Sequence, residues 1–109
     1  MAIVSALQST GIFRLKQTWA GLSTTVRNTF EDLKQLVARE GNFRELRKSL
    51  KQSTPPRVPY IGVYLTDLTF IEDGNSNYLE SGLINFSKRR RLARVLKDIQ
   101  QHQVSISFS

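Results

Sequence analysis

Between Pro55 and Arg91 the sequence runs PPRVPYIGVYLTDLTFIEDGNSNYLESGLINFSKRRR, and this stretch leaves few choices of fold. Pro55, Pro56 and Pro59 lack amide donors and push Thr54 and Val58 towards extended backbone, so a helix can begin only after them. From Tyr60 to Asp73 the chain is helix-compatible and apolar on almost every side, more so than a surface helix requires. Asp73-Gly74-Asn75 stops it. A polar loop follows over 74–82, and then a second helix opened by Lys88, Arg89, Arg90 and Arg91. Both helix ends facing the loop carry charge of the wrong sign for their macrodipoles. Glu72 and Asp73 sit where carbonyls already make the field negative, and the basic run sits where amides make it positive. Each mismatch costs roughly 0.3–1 kcal/mol when exposed, and local conflict of this kind is expected at sites kept for function.

The remaining segments also read as helices. Met1 to Gln8 is short and apolar, with Ser9-Thr10-Gly11 to end it, and Ile12 to Leu22 forms another short segment around Phe13, Leu15 and Trp19. Ser23, Thr24 and Thr25 offer N-cap hydroxyls before a longer helix expected to reach about Glu40. Its stripe is Val26, Phe30, Leu33 and Val37, at helical spacing. Gly41 suits a C′ residue with positive φ. Asn42 then starts a helix with Glu45 in a variant capping box, with Phe43, Leu46 and Leu50 on one face. The basic helix carries Leu92, Val95, Leu96 and Ile99 and is expected to run to about Gln103. The predicted class is all-α: one irregular helical domain over 1–103, a hairpin over about 58–102, and a loose tail over 104–109.

Composition narrows the function. The chain has 109 residues with 39% hydrophobic content, enough for one small packed domain rather than disorder. It has no cysteine, so disulfides and thiolate metal sites are excluded. No apolar run approaches the roughly 20 residues that span a bilayer. A secretory signal is not expected, because the first residues lack a basic region followed by an apolar core and a small-residue cleavage site. His102 is the only histidine and is expected to be a solvated side chain near a frayed helix end. Glu72 and Asp73 are adjacent, so on a helix they cannot face each other as a paired acid and base. There is no P-loop or dinucleotide-binding glycine pattern. Covalent catalysis, a bound metal and a cofactor are therefore not expected.

The net charge of +7 points to an acidic partner, nucleic acid or an anionic membrane. Lys88–Arg91 can be a solvated helix start pairing with Glu72, Asp73 or Glu80, a phosphate-contacting patch, or an import signal. The absence of interleaved aromatics weighs against nucleic acid. In the preceding helix, Tyr60, Ile61, Tyr64, Leu65 and Leu68 are expected to be core. Thr69, Asp73 and Asn75 put polar groups at its far end, which suits a helix pushed into a partner's cleft.

These residues also carry a resemblance. PP-x-VPY-x-G-x-YLTDLTFIEDG-N-x-NY, then GLINFSKRR and I-QQ-x-Q, with AIVSALQSTGIFRLKQTW and EGNFRELRKSLKQSTPP upstream, resembles the catalytic domain of Ras-family guanine-nucleotide exchange factors. The likeness covers about residues 2–103. It implies an all-helical fold whose projecting hairpin wedges into the nucleotide site of a small GTPase, displacing switch 1 and magnesium without making or breaking a bond. By the same resemblance Thr69 crowds the magnesium site, Asp73 brings a carboxylate near the phosphate-binding loop, and Tyr60 and Asn75 flank them. Ser5, Phe13 and Phe43 fall where the family grips switch 2.

Two positions depart from the family pattern. Arg57 replaces a common cysteine and is expected to snorkel at the surface. Thr69 is more polar than the usual aliphatic residue, a change expected to weaken metal displacement. The resemblance covers about the second half of the family's domain. It implies a Ras-family GTPase as partner and a cytoplasmic site of action, at the inner face of the plasma membrane through the lipidated GTPase. A chain of this extent is expected to bind a nucleotide-free GTPase with weak or no exchange, and to self-associate through apolar faces of 1–22 and 92–99. The competing reading is a basic module for nucleic acid or anionic membrane centred on Lys88, Arg89, Arg90 and Arg91.

Overall fold

Helix boundaries follow the punctuation in the sequence. The computed structural model describes residues 1–103; the expected tail over 104–109 lies outside the described residues. Seven helices carry them, and their only strand-like pairing is the bridge between Tyr78 and Ile84. The chain divides into two compact units, one over Met1–Gln52 and one beginning at Ser53.

The first unit holds α1 (Ala2–Leu7), α2 (Thr10–Phe13), α3 (Lys16–Ala20), α4 (Thr24–Leu36) and α5 (Glu40–Gln52). The segment expected to be continuous from Ile12 to Leu22 is split, because the chain turns at Arg14-Leu15 before α3 starts. Ser23 caps α4 as expected, its hydroxyl accepting from the Val26 amide at 3.3 Å. This helix ends at Leu36, short of Glu40. Val4 of α1 is the buried apolar side chain of the unit. Trp19 and Phe30 stack at 5.1 Å between centroids, and the Trp19 indole N–H donates to the Ile12 carbonyl at 3.0 Å. That bond satisfies the one polar atom of a ring otherwise packed on apolar neighbours.

Between α4 and the regular part of α5 the backbone turns left-handed at three successive residues, Gly41, Asn42 and Phe43, with φ of 59°, 57° and 60°. Gly41 was the expected positive-φ position. Asn42 tolerates the region, but Phe43 does not do so without strain. The Asn42 carbonyl is held by Arg47 Nε at 2.7 Å, so the left-handed turn is fixed by a side chain from the helix that follows.

The second unit is a helical hairpin: α6 (Ile61–Gly74) and α7 (Phe86–Gln100) pack along each other. Val63 and Tyr64 are its buried apolar residues, and Leu68, Ile71, Leu92, Val95 and Ile99 are half-buried. The base is clasped by polar bonds. Arg57 Nε donates to His102 Nδ1 at 3.0 Å, and His102 Nε2 lies 2.7 Å from the Tyr64 hydroxyl. A guanidinium can only donate. Nδ1 is therefore the acceptor, the ring proton sits on Nε2, and the Tyr64 oxygen receives it. Arg57 also donates to the Ser53 carbonyl. The solvated His102 and surface-snorkelling Arg57 read from sequence are both replaced by this clasp. Periodicity gave no sign of it, because the two residues are 45 apart in the chain.

Candidate functional site

The hairpin presents its chemistry at the tip and along one side of α6. Val63, Tyr64, Leu68 and Ile71 face inward, which turns the row Ile61, Leu65, Thr69 and Asp73, four residues apart, outward. Ile61 is 47% exposed and Leu65 58%. Tyr60, the N-cap, is 40% exposed. Three of the five residues expected to be core are therefore surface. The helix is apolar on nearly every side because its outward row is apolar as well, and a spacing count cannot separate the two faces.

Thr69 is exposed, and its hydroxyl donates to the Leu65 carbonyl at 2.9 Å, so its proton is committed to its own helix. Asp73 is exposed and, among the described residues, has no hydrogen bond or ion pair. Asn75 is half-buried and turned into the hairpin: its amide donates to the Ile71 carbonyl at 2.9 Å, and its oxygen accepts from Arg91 Nη1 at 3.2 Å. Tyr60 lies over Gly62, where an added Cβ would come within 2.4 Å of the ring's Cζ. Gly62→Ala is expected to push the exposed ring aside rather than break the helix. The melting temperature should stay within a few degrees, while the Tyr60 ring resonances shift in an NMR spectrum.

The misplaced charges resolve across the loop. Lys88 is 2% exposed, and its ammonium meets the Glu72 carboxylate at 2.9 Å, the Glu72 carbonyl at 3.2 Å and Asn77 Oδ1 at 2.8 Å. Lysine is wrong for the N-terminus of α7, but here it faces the C-terminus of α6, where a cation is favourable. Glu72 is wrong for the end of α6 and right for the start of α7. Each charge thus serves the other helix. Of the basic run, Arg89, Arg90 and Arg91 are exposed while Lys88 is interior.

The loop between the helices is ordered by its own bonds. Asn85 caps α7 through Oδ1 to the Lys88 amide at 3.2 Å, donates from Nδ2 to the Ser76 carbonyl at 2.9 Å, and from its amide to the Asn77 carbonyl at 2.9 Å. Gly82 turns at φ 80°, where a side chain would be strained.

The residues expected to grip switch 2 lie in the first unit. Ser5 is exposed on α1. Phe13 ends α2, is 58% exposed, and carries the Lys16 ammonium 4.1 Å from its ring centroid. With Trp19 and Phe30 it lines a groove of about 220 Å³ edged by Lys16, Arg27 and Lys34. Phe43 is half-buried in the left-handed turn. Strained backbone of that kind is more frequent at binding sites than elsewhere. Among the described residues no cluster of histidine and acidic side chains could hold a metal ion, and no helix is long and apolar enough to cross a membrane.

The RasGEF domain model matches residues 1–90, most of the chain. The chain belongs to the RasGEF domain family. The RasGEF match is carried into individual relatives. Ras-specific guanine nucleotide-releasing factor 2 of Mus musculus is 47% identical over 103 residues, covering 94% of this chain and 9% of the relative. Ras-specific guanine nucleotide-releasing factor 1 of Homo sapiens is 47% identical over the same share of this chain and 8% of its own length. Ras guanine nucleotide exchange factor K of Dictyostelium discoideum is also 47% identical, over 7% of its length. The chain thus spans less than a tenth of the curated relatives it matches. RasGEF membership fits the all-helical fold.

Proposed function

We propose that this chain acts on a Ras-family GTPase as a guanine-nucleotide exchange domain, with the α6–α7 hairpin as the wedge that opens the nucleotide site. The observation that carries the reading is the outward row of α6. Ile61, Leu65 and Thr69 supply an apolar edge that can displace a GTPase segment, and the row ends in Asp73, a carboxylate with no partner of its own among the described residues. Inserted beside a phosphate-binding loop, that carboxylate competes for the donors that held the nucleotide's phosphates. Thr69 occupies space near the magnesium ion, and its methyl group does this work because the hydroxyl proton is bonded to Leu65. Asn75 holds the tip through Arg91 rather than reaching outward. Ser5, Phe13 and Phe43 grip switch 2.

The thermodynamics are those of linkage. A protein that binds the nucleotide-free GTPase more tightly than the loaded form must lower nucleotide affinity by the same factor. GTP then loads because it is in excess. The action belongs in the cytoplasm, at the inner face of the plasma membrane where the lipidated GTPase resides. The reading as a basic module for nucleic acid or anionic membrane is disfavoured by the interior position of Lys88, which removes one of its four charges from the surface.

The test is release of a fluorescent GDP analogue from a Ras-family GTPase, with pull-down of the nucleotide-free GTPase alongside. Accelerated release, or capture of the nucleotide-free form in preference to the loaded one, is the expected result. Absence of both exchange and capture would overturn the reading. Gly62→Ala should weaken both several-fold by displacing Tyr60.

A further inference from the structure

A charged side chain is buried at the hairpin tip where a hydrophobic one would normally be found. Lys88 is 2% exposed, less than Val4, Val63 or Tyr64. An ammonium has three protons, and here three acceptors meet it: the Glu72 carboxylate, the Glu72 carbonyl and Asn77 Oδ1. Two belong to the last turn of α6 and one to the loop. Resting on the exchange reading, we propose that Lys88 is a positioning residue for the wedge, holding the last turn of α6 and the loop beyond it in one geometry and drawing the Glu72 carboxylate away from Asp73.

The geometry gives Lys88 a role that packing alone would not need. A helix C-terminus offers only acceptors, so its final carbonyls must be met by donors from elsewhere. Lys88 supplies one to Glu72, and Asn75 supplies one to Ile71. With these bonds made, the last turn cannot unwind without leaving a buried ammonium short of acceptors. The same contact neutralises Glu72. Of the two adjacent carboxylates, only Asp73 is then presented with its charge uncompensated, and two neighbouring anions no longer repel each other at the point of insertion. Lys88 touches no GTPase in this scheme. It acts through Asp73.

The experiment compares wild type, Lys88→Met and Asn77→Ala in nucleotide release and in amide hydrogen exchange on the full chain. Lys88→Met should lower the maximal release rate about tenfold or more while the half-saturating concentration changes less than about threefold, because the switch 2 contacts are untouched. Amides of 72–78 should lose protection while those of 61–68 keep theirs. Asn77→Ala, an exposed position, should shift both readouts the same way by a smaller factor. A folded Lys88→Met chain with unchanged maximal rate, or with its loss confined to the half-saturating concentration, would overturn the proposal. If Lys88→Met does not fold, Asn77→Ala decides: a lower maximal rate supports the bracket and an unchanged one sinks it. If wild type neither releases nucleotide nor captures the nucleotide-free GTPase, the exchange reading fails by itself; wherever release is too slow to measure, the bracket is judged on hydrogen exchange. Selective deprotection of 72–78 upholds it there, and unchanged or uniform protection rejects it.

Discussion

Asp73→Asn is expected to make the chain slightly more stable and to remove most of its exchange activity. The two effects have separate causes. Asp73 lies in the last turn of α6, exposed and, among the described residues, without an ion pair. Removing its charge relieves the unfavourable contact with the helix dipole, worth about 0.3–1 kcal/mol. For a domain of this size that raises the melting temperature by about 2–6 °C. At the GTPase the same carboxylate would be buried among donors. Truncating one member of a buried, hydrogen-bonded charge pair costs about 2–5 kcal/mol, equivalent to roughly 30-fold to several-thousand-fold in affinity. Differential scanning fluorimetry and nucleotide release from one preparation check both signs. Release within about twofold of wild type would show that the carboxylate is not the working group. A fall in stability would show that Asp73 has a structural partner.

Tyr64→Ala should have the largest effect on folding. Tyr64 is 5% exposed, and Val63 is the other buried apolar residue of the hairpin unit among the described residues. Replacing a buried aromatic with alanine costs about 3–5 kcal/mol. Removing the hydroxyl leaves His102 without its acceptor, adding about 1–3 kcal/mol. Set against a total stability of about 5–15 kcal/mol for an ordinary domain, a unit with so small a core should lose most of its helical order. Circular dichroism should show that loss at 25 °C, and exchange should disappear with it. Tyr64→Phe keeps the ring and removes the hydroxyl's bond to His102, about 0.5–1.5 kcal/mol, so it should melt a few degrees lower and stay folded. Full helicity in Tyr64→Ala would mean that the hairpin is held by something other than this core.

Much of this architecture was legible in the chain. The prolines before Tyr60, the Asp73-Gly74-Asn75 stop and the hydroxyls at 23–25 act through local backbone geometry, which a sequence displays directly. Side-chain direction was harder to read. Ile61 and Leu65 were expected inside because a helix apolar all round offers no contrast from which to choose a face. The Arg57–His102–Tyr64 clasp and the Glu72–Lys88 bracket join distant residues, and distance along the chain carries no periodic signal. The wrong-sign charges did mark the place. What they could not reveal is that Glu72 and Lys88 meet, which leaves Asp73 as the uncompensated carboxylate of the pair at the end of α6.

The crossed arrangement at the tip also constrains how this hairpin can change. Exchanging the two residues, Glu72→Lys with Lys88→Glu, would suit each helix's own dipole and preserve an ion pair. It would still fail, because a carboxylate on α7 cannot donate to the Glu72 carbonyl position or to Asn77 Oδ1. The two sites are therefore mutationally coupled in one orientation only.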